Sequence, residues 1–202
     1  MLTEPLAVTL TIADILEKLD VPYALGGSLA SAVYGVPRAT MDADIITALK
    51  PEHTAPFVSR VKNGFYADES TVKTAILQKT SFNLIHLETM FKIDIFVAKA
   101  DPLDTAQLAH RIRQQVGESP SRHIFITSPE DTLLAKLVWY RNGGEVSDRQ
   151  WRDIEGIINV QKSRLDVAYL REMAVQLKID DLFERLFGRG DGGVFTVAAS
   201  GK

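Results

Sequence analysis

Tyr23-Ala24-Leu25-Gly26-Gly27-Ser28, followed by Arg38-Ala39-Thr40-Met41-Asp42-Ala43-Asp44, is the stretch on which the fold of this chain turns. Three apolar residues halted by two glycines predict a short buried strand entering a tight turn. A helix fits residues 28–34, with Ser28 as its N-cap and Gly35 as its stop. After the Val36-Pro37 break, residues 41–49 predict a second strand that carries Asp42 and Asp44 at alternate positions. Carboxylates at i and i+2 of a strand face the same way with Cα atoms roughly 6.5 Å apart, because each residue advances about 3.3 Å. They repel unless a cation lies between them. Mg2+ suits that place, since it takes oxygen ligands and completes its octahedron with water and substrate phosphate. The turn supplies the complementary half: free N–H groups at a helix N-terminus favour a phosphate, a glycine lets it reach the backbone, and the Ser28 hydroxyl can donate to it. Taken singly, an ordinary tight turn and a pair of solvent-facing acids are the plain alternatives.

Working outward, residues 6–19 place Leu6, Leu10, Ala13, Leu16 and Leu19 at helical spacing, and Asp20-Val21-Pro22 ends that helix. Residues 51–61 are expected to be helical. Residues 81–87 and 91–97 read as the two strands of a hairpin around Glu88-Thr89-Met90. In the second of these, Phe91, Ile93, Ile95 and Val97 share one face, and Asp94 sits mid-strand on the other with Lys92 and Phe96. Residues 122–126 are strand-like. From Ser128 the pattern becomes helical: Ser128-Pro129-Glu130-Asp131 is a capped start, and Ser147 with Gln150 is a capping box for the next helix. Two shorter helices fit residues 165–177 and 180–187. The expected organisation is an α/β core over residues 1–127, a C-terminal helical region over 128–187 and a mobile tail over 188–202.

The composition, 46% apolar and 24% charged, is that of a globular chain, and no run is long enough to span a membrane. The first 14 residues lack a basic region ahead of an apolar stretch, so no signal peptide is expected and a cytoplasmic protein without a membrane partner is. The absence of cysteine excludes thiol catalysis, disulfides and cysteine-ligated zinc. A net charge of −3 gives no reason to coat nucleic acid non-specifically. An RNA partner would need a local patch, and Arg111-Ile112-Arg113, Arg122-His123 and residues 149–152 read instead as solvated surface. His53, His86, His110 and His123 show no metal-ligand spacing. Trp139-Tyr140 and Trp151 read as helix-packing aromatics, with base stacking the alternative. Arg189-Gly190-Asp191 and the terminal Gly-Lys carry no mechanism, because a phosphate loop needs Ser or Thr after its lysine.

The Gly26-Gly27-Ser28 turn with the 38–44 stretch resembles the signature of the DNA-polymerase-β-like nucleotidyltransferase superfamily, in particular its AbiEii and MenT-like toxin group. Asp131-x-x-x-x-Lys136 and Arg149-x-x-x-Asp153 are similar to later motifs of that group, although Gly156 stands where a further acid is usual and Leu137 where a basic residue often follows the lysine. The resemblance implies the nucleotidyltransferase fold, a mixed central sheet with flanking helices followed by a C-terminal helical part. It implies transfer of a nucleoside monophosphate from a nucleoside triphosphate to a hydroxyl, with Mg2+ or Mn2+ as cofactor. By that resemblance Asp42, Asp44 and Asp94 are metal ligands and catalytic groups, and Lys136 is a catalytic and phosphate-binding lysine. Gly26, Gly27, Ser28, Arg38, Thr40 and Asp153 complete the nucleotide site. For Asp94 the alternative is a structural acid paired with Lys92 or Arg38; for Lys136 it is a chain reaching solvent; for Arg149 and Asp153 it is a helix-surface ion pair. The acceptor implied is a tRNA 3′ end or a protein side chain, with the protein acting as the toxin of a toxin–antitoxin pair beside a cognate antitoxin. A small-molecule, antibiotic-type adenylyltransferase and a non-catalytic nucleotide-binding regulator or antitoxin-like partner are the competing readings.

Overall fold

Local signals set most of the elements. In the computed structural model, which describes residues 4–117 and 122–188, helix α1 spans Glu4–Glu17, strand β1 Tyr23–Leu25, α2 Gly27–Tyr34 and β2 Asp42–Thr47. A 3-10 turn at Pro51–His53 leads into α3 at Thr54–Val61, then β3 Phe65–Tyr66, α4 Glu69–Gln78, β4 Ser81–His86 and β5 Lys92–Val97. Next come α5 Pro102–Ala109, β6 Ile112–Val116, β7 Arg122–Ile126, α6 Pro129–Asn142, α7 Asp148–Gln161, α8 Val167–Gln176 and α9 Asp180–Phe187. The expectations for the tail beyond Gly188 lie outside the described residues.

The expected capping holds: Ser128 Oγ accepts the Asp131 N–H at 3.0 Å to open α6, and Ser147 Oγ accepts the Gln150 N–H at 3.3 Å to open α7. One start differs. Ser28 is not the cap of α2; Gly26 is, and it caps with no side-chain hydrogen bond. The helix begins earlier because Gly27 takes φ +56, a conformation open to glycine that folds the chain straight from β1 into the first turn.

The strands form one mixed sheet of order β3-β4-β5-β2-β1-β7-β6. The central pair β2 and β5 is parallel, β1 runs antiparallel to β2 and parallel to β7, and β4 pairs antiparallel with β5 as the hairpin pattern requires. Alternation along β5 buries Ile93 and Ile95 on one face and leaves Lys92, Asp94 and Phe96 half-buried on the other. The first face packs under α1, α3 and α4 in the main core, where Leu10, Ile12, Leu16 and Phe57 lose all contact with solvent. Burial of that kind contributes about 1.5–3 kcal/mol per side chain. A second cluster joins Leu133, Leu134 and Leu137 of α6 to Leu170, Leu182 and Phe183, and includes Leu103 of α5. The opposite sheet face and α6–α7 bound the cleft described next.

Candidate active site

Because β1 is antiparallel to β2, its C-terminal end lies beside the N-terminal end of β2. The Gly26 N–H donates to the Asp44 carbonyl at 2.8 Å, which fastens the turn onto the acidic strand. Because β2 is parallel to β5, Asp44 is directly in register with Asp94, and Asp42 with Lys92. Residues paired in register project to the same face. The sheet thus brings Asp42, Asp44 and Asp94 together from positions half a hundred residues apart, at one end of a cleft of about 1040 Å3 that Gly26, Gly27, Ser28, Arg38, Lys136 and Asp153 also line.

Gly27 is needed twice over. Besides its positive φ, a Cβ placed on it would fall 1.7 Å from Asp44 Oδ2. Gly26 has no such constraint: its backbone is extended and the nearest atom to an added Cβ is 3.9 Å away. The Asp44 carboxylate therefore lies flat against the turn and accepts a hydrogen bond from the Ser28 N–H. Burial pushes the Asp44 carboxyl up to about 6, the charges of Asp42 and Asp94 add to the rise, and Lys136 and the Ser28 N–H oppose it. A carboxyl raised by burial, and further by two neighbouring acids, marks a place that favours a cation.

Thr40 does not line the cleft; its hydroxyl lies 2.9 Å from Asp42 Oδ1 and 3.1 Å from the Asp42 carbonyl, so it aims the first carboxylate. Arg38 grips Asp153 through Nε and Nη2, both at 2.9 Å, while Nη2 also donates to Ser28 Oγ at 2.6 Å. Lys136 Nζ donates to Asp153 Oδ2 at 2.7 Å. Burial alone would raise the Asp153 carboxyl, but the hydrogen bonds of Arg38 and Lys136 hold it below the ordinary carboxylate range. Two of the plain alternatives fail here. Lys136 is buried at 8% exposure with its ammonium on Asp153, and Asp153 pairs with Arg38 and Lys136 in place of a surface pair with Arg149.

The motif that joins Asp131 to Lys136 splits in space. Five residues turn a helix by roughly 140° beyond a full circle, so Asp131 points away from the cleft. It is wholly buried, takes the Tyr169 hydroxyl at 2.5 Å and His110 Nδ1 at 3.1 Å, and anchors α8 and the end of α5. Gly156 lies where the chain leaving α2 crosses α7, and an added Cβ there would meet the Val36 backbone at 3.4 Å, an ordinary contact that does not exclude a side chain.

The alternative for Asp94 is half realised. Its Oδ2 pairs with Lys92 Nζ at 2.7 Å, while Arg38 is engaged elsewhere. Among the described residues no three His, Asp or Glu side chains are gathered closely enough to hold an ion as they stand. The donors nevertheless fit Mg2+ or Mn2+: they are hard carboxylate oxygens, three on one sheet face, and Asp44 carries the electrostatic cost of their company.

Sequence reasoning missed the far wall. Trp139 is 52% exposed and stands edge-on to Phe96 at 5.9 Å between centroids, so it faces the cleft and does not pack between helices. Tyr140 and Trp151 do pack, with ring centroids 5.1 Å apart. Phe96 was within reach of the same alternation that placed Asp94, two residues on.

No family model matches the chain, and no curated protein matches it in sequence. Solved structures do match. A crystal structure of ANT(2″)-Ia in complex with adenylyl-2″-tobramycin aligns with TM-score 0.57 at 12% identity, covering 85% of this chain and 95% of that one. A solution structure of the antibiotic-resistance factor ANT(2″)-Ia gives 0.52 at 15%, over 88% and 90%. An antigenic nucleotidyltransferase-like protein from Paracoccidioides brasiliensis gives 0.52 at 17%, over 88% and 94%. At these identities the likeness is one of fold: the seven-stranded mixed sheet with its flanking helices is the nucleotidyltransferase fold.

Proposed function

We propose that this protein transfers a nucleoside monophosphate from a nucleoside triphosphate to an acceptor hydroxyl and releases pyrophosphate. The observation that carries the reading is the register of Asp44 with Asp94, both facing a cleft at the N-terminus of α2 with Gly27 between strand and helix. The first turn of α2, the Ser28 hydroxyl, Arg38 and Lys136 bind the phosphates, and Asp42 is held in aim by Thr40. Asp42, Asp44 and Asp94 would hold a Mg2+ or Mn2+ ion, which would supply positive charge against the triphosphate and ease deprotonation of the acceptor. The acceptor oxygen forms its bond to the α-phosphorus, the bond from that phosphorus to the bridging oxygen breaks, and Asp94 takes the hydroxyl proton. Lys136 and Arg38 then face the charge that builds on the departing pyrophosphate.

For the acceptor, a tRNA 3′ end or a protein side chain is favoured by the cleft rim. Lys79, Lys99, Lys178 and Arg149 outnumber Asp101 and Asp104 there, and both acids are engaged by backbone N–H groups, of Asp104 at 2.9 Å and Lys99 at 2.8 Å respectively. Transfer onto a tRNA 3′ end would consume the hydroxyl that receives the amino acid, and this is the sense in which the protein would be a toxin with a cognate antitoxin. The second reading, a small hydroxylated acceptor of the antibiotic type, is favoured by the cleft volume of about 1040 Å3, room for a nucleotide and a compact acceptor. One experiment separates them: each α-labelled triphosphate with Mg2+ is incubated with tRNA, cell lysate and a panel of aminoglycosides and lincosamides. Label is expected to move to one class only. Triphosphate binding without transfer to any of them would favour the non-catalytic reading and sink this one.

A further inference from the structure

Three carboxylates on one sheet face need positive charge, and one is already tethered among them. Lys92 lies opposite Asp42 in the β2–β5 register and two residues before Asp94 on the same face. Its Nζ is 2.7 Å from Asp94 Oδ2. A pair with 43% and 23% of its side chains exposed contributes little to stability. Its consequence lies in what it does to Asp94.

We infer that the Lys92 ammonium stands in one of the cation positions of the carboxylate site and competes with the divalent ion for Asp94, so that the ion is held by the full set only when a triphosphate draws Lys92 away. The inference rests on the reading of Asp42, Asp44 and Asp94 as ion ligands. It accounts for the carboxylates being neighbours in register yet not gathered into an ion-holding cluster. It also has a chemical logic. Lysine is a flexible point charge that phosphate oxygens can recruit, so the arriving triphosphate exchanges one partner of Lys92 for another while it delivers its own ion. Lys92 is a positioning residue in this account: it acts through Asp94.

The test reads ion binding, not turnover. Free Mn2+ is measured by electron paramagnetic resonance during titration of the nucleotide-free wild type, Lys92→Met, Asp94→Asn and the double variant. Lys92→Met is expected to bind Mn2+ about tenfold more tightly than wild type, the scale for removing one like charge beside an ion at a partly exposed site. Asp94→Asn should abolish that gain in the double variant. Unchanged or weaker binding by Lys92→Met overturns the inference, and so does a gain that survives Asp94→Asn. Lys92→Gln provides a second uncharged side chain. If either variant is unfolded without metal, the Mn2+ concentration that restores its melting transition reads the same affinity, expected below that needed by wild type. A parallel titration with a non-hydrolysable triphosphate separates the two levels of the account. No Mn2+ binding by wild type even then removes the carboxylate site itself, whereas binding by wild type with no response to Lys92→Met removes only the role of Lys92.

Discussion

The turn between β1 and α2 and the facing surfaces of α6 and α7 supply charge to the same cleft by different routes. The acids of β2 and β5 are placed by backbone register, and the turn is fastened to them by the Gly26 N–H and by the missing side chain of Gly27. The cations opposite are placed by side chains: Arg38, from the loop, and Lys136, from α6, both depend on Asp153 of α7. A backbone-built half should be stiff and intolerant of added volume. A half held by ion pairs should tolerate volume but fail when its single acid loses its charge, and it is free to exchange that acid for a phosphate.

The largest effect should fall on the stiff half. Gly27→Ala imposes a left-handed conformation and drives a methyl group into the Asp44 carboxylate. It is expected to cost about 2 kcal/mol or more and to abolish transfer, while Gly26→Ala stays within about 1 kcal/mol of wild type. Urea melts of the pair decide it, and equal losses would break the distinction. Next comes the hinge of the other half. Asp153→Asn leaves Arg38 and the buried Lys136 without their acid and is expected to cost about 2–3 kcal/mol and to weaken triphosphate binding. Arg149→Gln, which removes no pair, should cost under about 0.5 kcal/mol.

A smaller effect concerns pH. Asp44 titrates at about 6 in the fold and near 3.9 unfolded, so the folded state binds the extra proton between those values. Its charge therefore destabilises the metal-free protein above pH 6, and that cost fades as pH falls toward 4. Asp44→Asn should then melt above metal-free wild type at pH 7.5, by on the order of 2 kcal/mol, with the gap about halved at pH 5 and closing only as pH nears 4. A gap that is constant with pH would contradict the burial of Asp44 beside two further acids. The smallest effect is expected at the far wall: Trp139→Ala, half-exposed beside Phe96, should change stability by under about 1 kcal/mol and raise the KM of one substrate severalfold.

The same contrast explains what could be read from the chain. The turn, the Asp42 and Asp44 strand, the alternation that places Asp94, and the Ser128 and Ser147 caps are all local patterns, and they stand where the reading put them except that α2 starts at Gly27. Helix α4 carried a readable signal that went unused, with Asp68 as cap and Val72, Ala75 and Ile76 inward. Strand β6 carried almost none, because it is an edge strand with no buried residue to mark a period. The pairing of Asp153 with Arg38 bridges 115 residues and has no local trace. Nor does the split of Asp131 from Lys136, where one motif serves two faces of a helix. The pair of Lys92 with Asp94 lies within one strand and was among the alternatives read there, whereas the place of Lys92 opposite Asp42 depends on a register that no single strand reveals.

The central claim is that the β2–β5 carboxylates and the α2 turn form one site for a triphosphate and its cation. Calorimetric titration of a non-hydrolysable triphosphate into wild type and Asp44→Asn, each with and without Mg2+, tests it most directly. Binding is expected to be tightened at least about tenfold by Mg2+ in wild type, through the neutralisation of like charges, and to be indifferent to Mg2+ in Asp44→Asn. Mg2+ dependence that is equal in both proteins, or absent from both, would contradict it.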